Sequence, residues 1–273
     1  MILPSLVRAV GHVWSRSVLV VTWNVNSLRA RLPRVLELLE LHHPHVVCLQ
    51  ETKCAPDNFP FAELEAAGYS VHHQSAGQWA GVALLARQPL ELSDRSAGLP
   101  GDPVAAEARW CEATVDGIRF VSTYVPNGRT LDSPEFPRKL AFLDAAAERV
   151  CAIGAPLLLA GDLNIAPADA DVYDPAAFIG STHVTSQERA HLDAILAAGG
   201  LVDAYRQVHP HDQQFTWWDY RAGNFHKGLG LRIDLALVSA ALAGRLQECG
   251  IDRNFRKGAK PSDHAPLLVR FTA

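Results

Sequence analysis

Nothing in the 273-residue chain approaches the roughly 20 consecutive apolar residues that a membrane-spanning helix needs. Cysteine is sparse and odd in number: Cys48, Cys54, Cys111, Cys151 and Cys249 form no Cys-x-x-Cys pair. That suits free thiols in a reducing compartment, the cytoplasm. Positive charge is not in excess, since 25 Lys and Arg face 29 Asp and Glu for a net charge of −4. Indiscriminate adhesion to nucleic acid is thereby disfavoured, although a local basic face beside an acid cluster is compatible with that balance. No linker or low-complexity segment divides the sequence. Residues 1–17 contain no acid, and Pro4, Arg8 and His12 interrupt their apolar stretches too often for a secretory segment. We read them as an extension without assigned role and residues 18–273 as one domain. With 48% hydrophobic and 20% charged residues, that domain has ample material for a core.

What is present is one plan used repeatedly, a short apolar run that ends in oxygen-bearing side chains. Leu157-Leu158-Leu159-Ala160-Gly161-Asp162-Leu163-Asn164 reads as a buried strand. It puts Asp162 and Asn164 on one side of an extended chain, because side chains alternate with period two. Gly161 leaves room for a close approach to the backbone. Val18 to Asn26 ends in two amides, Asn24 and Asn26, and Val46 to Glu51 ends in a carboxylate. Asp234 stands at the mouth of the Ile233 to Val238 run, and Asp263-His264 precede the last strand. Glu51 and Asp162 occupy like places in two halves, so two stacked sheets with helices outside would bring both acids to one edge. The predicted architecture is an α/β sandwich.

Between these strands, Pro33 is expected to open a helix that ends near His42 and His43. Asp116-Gly117 predicts a two-residue hairpin. Ser133-Pro134-Glu135 reads as a helix start with a serine cap, and Ser186 as the cap of a second helix closed by Gly199-Gly200. Further strands are expected near Phe215, Ile233, Gly250 and Leu267.

Asn24, Glu51, Asp162, Asn164, Asp234, Asp263 and His264 are hard oxygen donors with one imidazole, a set suited to Mg²⁺ or Mn²⁺ rather than zinc. A divalent ion bridging carboxylates and a phosphate oxygen serves phosphoryl transfer. A carboxylate such as Asp162 can act on the attacking water, and His264 oriented by Asp234 can donate to a phosphate oxygen.

Trp23-Asn24-Val25-Asn26-Ser27-Leu28-Arg29-Ala30, Leu49-Gln50-Glu51-Thr52-Lys53, Tyr124-Val125-Pro126-Asn127-Gly128, Gly161-Asp162-Leu163-Asn164-Ile165-Ala166-Pro167, Thr216-Trp217-Trp218-Asp219-Tyr220, Gly230-Leu231-Arg232-Ile233-Asp234 and Pro261-Ser262-Asp263-His264-Ala265-Pro266 resemble, in order, the exonuclease III family of apurinic/apyrimidinic endonucleases. The resemblance spans about residues 18–271. It implies a four-layer α/β sandwich and Mg²⁺-dependent cleavage 5′ to abasic sites in double-stranded DNA. It also admits 3′→5′ exonuclease and 3′-phosphodiesterase or phosphatase action on blocked 3′ ends. By the same resemblance the metal set draws on Asn24, Asn26, Glu51, Asp162, Asn164, Asp263 and His264, for one ion or two. Tyr124 would contact the scissile phosphate, Asp162 act on water or leaving group, and Asn164 stabilise the transition state. Asp234 would orient His264 on the phosphate. Trp217 and Leu231 match positions lining a pocket for a flipped-out abasic sugar, and Asn127 stands in the Tyr124 to Gly128 motif as a further DNA contact. By charge alone, Arg29 reads equally as a solvated helix-entry residue or a phosphate contact, and Arg221 and Lys260 read as DNA contacts from loops. A monomer is expected.

Other readings compete. His42-His43-Pro44-His45 lacks cysteine partners and is taken as a solvated loop rather than a zinc site. Trp218 is expected in the core. Arg253, Arg256, Lys257 and Lys260 read as a DNA-facing patch. The rival enzymes are a nonspecific DNase, an inositol phosphatase or a sphingomyelinase of the same architecture. A different class is a catalytically dead DNA-damage binding module.

Overall fold

The computed structural model describes residues 17–154 and 156–272; of the expected extension 1–17, residues 1–16 lie outside the described residues and Ser17 opens the first strand, paired with Thr272. The chain runs β1 (Ser17–Asn24), α1 (Leu28–His42), β2 (Val46–Gln50), α2 (Phe61–Ala66), β3 (Tyr69–Gln74), β4 (Val82–Arg87), β5 (Ser93–Ala97), β6 (Trp110–Val115) and β7 (Ile118–Tyr124). It continues through α3 (Glu135–Ile153), β8 (Leu157–Asp162), α4 (Ser186–Gly199), β9 (Leu201–Asp203), α5 (Ala204–Val208), α6 (Asn224–Lys227), β10 (Asp234–Ser239), α7 (Ala240–Ala243), β11 (Leu246–Ile251) and β12 (Leu267–Thr272).

Two six-stranded sheets result, in the orders β11-β12-β1-β2-β4-β3 and β5-β6-β7-β8-β10-β9. Each has one central parallel pair, β1–β2 or β7–β8, flanked on both sides by antiparallel partners. The two sheets thus repeat one order of strand directions, which is the structural content of the internal repeat. Period-two alternation sends Val18 and Val20 between the sheets, while Leu19, Val21 and Trp23 face α1 and α2. Leu158 and Ala160 join the same central layer, and Leu157 and Leu159 pack against α3 and α4. The molecule is a four-layer α/β sandwich. No described helix is long and apolar enough to cross a membrane.

Local chemistry explains the agreements and the shifts. Asp116 and Gly117 have φ of 48° and 79°, the left-handed pair that a two-residue hairpin requires. Helix α1 begins earlier than expected, behind Ser27, whose hydroxyl accepts from the Ala30 N–H. Pro33 lies in its second turn, where its missing N–H forfeits one helical bond. Ser133 does not cap α3, because its hydroxyl donates backward to the Gly128 and Thr130 carbonyls. The cap of α4 is Thr185 rather than Ser186, in a reciprocal capping box with Glu188. Phe215 lies in no strand; Trp217 makes only isolated bridges to Leu231 and His264. The short strand β9 was not anticipated.

Candidate active site

The catalytic rim is built where the central strands of the two sheets end. Asn24 closes β1 and Glu51 follows β2; Tyr124 closes β7 and Asp162 closes β8. The Asn24 Nδ2 donates to Glu51 Oε1 at 2.7 Å and to Asp162 Oδ2 at 2.9 Å, tying the two sheets together across the rim. Its Oδ1 accepts from the Asn26 N–H at 3.0 Å. Asp162 can lie this deep because β7 and β8 approach closely: a Cβ on Gly161 would stand 1.9 Å from the Thr123 carbonyl oxygen. That is the close approach the glycine provides for.

Asp234 Oδ2 meets His264 Nδ1 at 2.8 Å, and His264 Nε2 lies 3.7 Å from Asp162 Oδ2. The Asn164 N–H donates to Asp162 Oδ1 at 2.9 Å and its Nδ2 to the Val125 carbonyl at 3.0 Å. That orientation leaves Oδ1 to accept from Asn127 Nδ2 at 3.3 Å. Asp263 accepts from Asn26 Nδ2 at 2.9 Å and from Trp217 Nε1 at 3.0 Å. Lys53 bridges Glu51 and Asn26 Oδ1, each at 2.6 Å. The Arg109 guanidinium covers the Tyr124 ring at 4.5 Å.

Glu51, Tyr124, Asp162, Asn164, Asp263 and His264 line a cavity of about 170 Å³, walled also by Asn127, His183, Trp217 and Ile233. A larger groove of about 600 Å³ runs along β11 beside His42, His209 and Asp252. It carries no comparable constellation, so the smaller cavity is the chemical one.

Burial pushes the Asp162 carboxyl up to about 7; the His264 cation restrains the rise, and Asp234 and Glu51 add to it. Burial alone would lower His264, but the Asp234 and Asp162 carboxylates raise it to about 10. Burial and the nearby Glu51 and Asp162 charges hold the Tyr124 phenol well above its ordinary range, protonated. For Asp263 burial works the other way from its neighbours, and the His264 charge with the Asn26 and Trp217 bonds keeps it low. Burial and the Lys139 charge lower His183 to about 4. Its Nδ1 lies 2.6 Å from the Asn164 carbonyl, so the neutral ring carries its proton there.

Of the expected DNA contacts, Asn127 and Trp217 line the cavity. Arg29, Arg221 and Lys260 are exposed and are not among its lining residues, Arg221 in a 2.6 Å pair with Asp219. Leu231 is fully buried with Ala166, Val172 and Ile233, and Ile233 is the member that reaches the cavity. Arg256 is not part of an open basic patch; it is buried, donates to the Ser262 carbonyl and faces the Trp218, Tyr220 and Phe225 rings. Trp218 is fully buried, as expected. His42 pairs with Asp252 at 3.0 Å and His45 accepts from the Leu19 N–H, so these histidines are ties between elements rather than a solvated loop. His183, Lys53, Lys139 and Glu188 were not singled out from sequence. The Thr185-x-x-Glu188 spacing is a capping-box pattern that could have drawn attention to Glu188, though only as part of a cap.

The model of the endonuclease/exonuclease/phosphatase family matches residues 21–264. The chain belongs to that family. The exodeoxyribonuclease III of Haemophilus influenzae is 34% identical over 92% of this chain and 98% of its own length. Two structures of the Neisseria protein NExo are similar with TM-scores of 0.89. One, named a 3′-5′ exonuclease, is 42% identical and covers 93% of this chain and 99% of its own; the other, named a 3′ phosphatase bound to product DNA hairpin, is 40% identical with 94% and 99% covered. An AP endonuclease from Archaeoglobus fulgidus is 34% identical with a TM-score of 0.89, covering 93% and 99%. This family member is a phosphodiester-hydrolysing nuclease.

The family implies a divalent metal, and the residues fit one. A ligand atom from each of Glu51, Asp162 and His264 lies within 4.8 Å of the others, and Asp234 Oδ1 is buried without a hydrogen-bond partner. The carboxylate oxygens and amides around them are the hard donors such an ion takes.

Proposed function

We propose that this nuclease is a Mg²⁺-dependent DNA repair phosphodiesterase that incises duplex DNA 5′ to abasic sites and clears blocked 3′ ends. The observation that carries the reading is the pair of carboxylates bridged by Asn24, Glu51 and Asp162, lining one small cavity together with His264, which Asp234 holds. Relatives named for exonuclease, 3′ phosphatase and AP endonuclease action support both kinds of end product.

One or two divalent ions, Mg²⁺ or Mn²⁺ in its place, would be held by Glu51 with Asp162, Asn164, Asn24, Asn26 or Asp263 completing the set; His264, protonated on both nitrogens, would stay outside it as a donor. Such an ion polarises the phosphate and neutralises developing charge. Asp162 orients the attacking water and takes its proton, a role suited to a carboxyl that titrates near neutrality. His264, turned by Asp234, directs Nε2–H at a non-bridging oxygen, joined by the protonated Tyr124 phenol. Asn164 steadies the same charge. Trp217 and Ile233 give an apolar wall for a sugar that has lost its base, the nucleotide most easily extruded. Arg29, Arg221 and Lys260 contact DNA outside the cavity, and Asn127 within it. The balance between incision and end cleaning is set by the cavity wall, where the fixed His183 ring takes up space beside Asn127. Residues 18–273 act as one catalytic domain, as a monomer, in the cytoplasm.

The test is a substrate panel in Mg²⁺: a duplex with one abasic analogue, a 3′-phosphate-ended duplex, an inositol phosphate and sphingomyelin. Turnover confined to the two DNA substrates is expected. Turnover of the inositol or lipid ester with intact DNA substrates would overturn the reading.

A further inference from the structure

Beneath the cavity lies a buried ion pair that the phosphodiester chemistry does not use. Lys139 on α3 and Glu188 on α4 are both fully excluded from solvent. An ammonium has three N–H groups, and Lys139 directs them at the Asn164 carbonyl at 2.7 Å, the Asn127 carbonyl at 3.3 Å and Glu188 Oε1. Glu188 in turn accepts from the His183 N–H at 2.8 Å and from the N–H and hydroxyl of Thr185 at 3.0 and 2.8 Å.

The pair therefore grips three segments by their backbones: the β7–α3 loop, the exit from β8 and the turn before α4. Each segment delivers one side chain to the cavity, Asn127, Asn164 and His183. Asn164 and His183 have positive φ, 52° and 77°, conformations that such residues keep only where the surroundings over-determine them. Gly128 makes room for this arrangement, since a Cβ there would stand 3.0 Å from Lys139 Cδ. Stability does not explain the pair, because apolar replacements of like volume are commonly as stable as a buried ion pair. What they cannot reproduce is the set of bonds aimed at these carbonyls and N–H groups.

We propose that Lys139 and Glu188 are positioning residues for the reaction, holding Asn164, Asn127 and His183 in register around the scissile phosphate. The inference rests on the nuclease reading. It assigns the pair to transition-state geometry, not to DNA affinity.

The test removes both charges together, in the double variant Lys139→Met with Glu188→Met, using a duplex bearing one abasic analogue. Wild type and variant are compared in melting temperature, in kcat and KM with Mg²⁺, and in Kd for the same duplex in EDTA. The expected result is a cooperative thermal transition at a melting temperature lowered by the backbone groups left without their partner. KM and Kd should hold within about threefold while kcat falls about 100-fold, the scale of a misplacement near 1 Å. Wild-type kcat in the folded double variant overturns the proposal, and so does a rise in KM and Kd as large as the fall in kcat. If the double variant does not fold, Glu188→Gln keeps the shape with one acceptor fewer, and its kcat should fall about tenfold; unchanged kcat there also overturns it. Absence of cleavage by wild type would instead refute the nuclease reading itself.

Discussion

Asp162 and His264 are 3.7 Å apart and buried, and each favours the charged form of the other; Asp234 adds to the His264 cation's stability while raising Asp162 further. Asp162→Asn keeps the shape and removes the base, and His264→Ala removes the donor. Each should lower turnover by at least about 1000-fold, the combined scale of lost acid–base and oxyanion-type stabilisation. Asp162→Asn should melt near wild type, whereas His264→Ala leaves the buried Asp234 carboxylate unpaired and should melt lower; near-normal cleavage by either variant would overturn the assigned roles. At this scale the sequence was informative where a strand end and its acid are neighbours in the chain. It was silent on His183, whose ring reaches the cavity only because a turn with φ of 77° presents it. Nor could it show that the Asn24 and Asn26 amides are engaged by carboxylates and by Lys53, since those contacts span up to 237 residues.

Strands and helices succeed or fail on close fits that a pattern alone does not display. At Gly161 the β7 carbonyl occupies the space a side chain would need, so Gly161→Ala should destabilise by about 3 kcal/mol and displace Asp162. Chemical denaturation measures this, and a loss under about 1 kcal/mol would show that β8 yields. On β6, Glu112 is buried between Arg119 Nε at 2.8 Å and Arg149 Nε at 2.8 Å. Burial opposes its charge, but the Arg149 and Arg119 bonds outweigh that and hold its carboxyl below the usual 4.5. A depressed folded value means the unfolded chain takes the proton first as pH falls. The contribution is therefore full above the unfolded value and lost as pH drops through the folded one. Wild type should exceed Glu112→Gln by about 3 kcal/mol at pH 7, the scale of breaking a buried pair. That margin should shrink below the usual 4.5, and a pH-independent margin would contradict the account. Strand ends, the Asp116-Gly117 hairpin and the Gly200 helix stop were legible because each depends on nearby residues. The caps shifted by a residue because Thr185 and Ser186 are chemically alike and only the backbone selects between them. Lys139 was not legible, since its partner on α4 lies 49 residues away.

Across the whole molecule, two sheets with one order of strand directions bring Glu51 and Asp162 from opposite halves to the same edge. Neither half holds a complete site. The acids gathered at that edge contribute to the net charge of −4. The most direct measurement incubates the purified protein with a duplex bearing one abasic-site analogue, in Mg²⁺ and in EDTA, beside an undamaged duplex. The account predicts a single incision 5′ to the lesion in Mg²⁺ and none in EDTA or on the undamaged strand. Binding of the lesion without incision in Mg²⁺, or incision that survives EDTA, would contradict it.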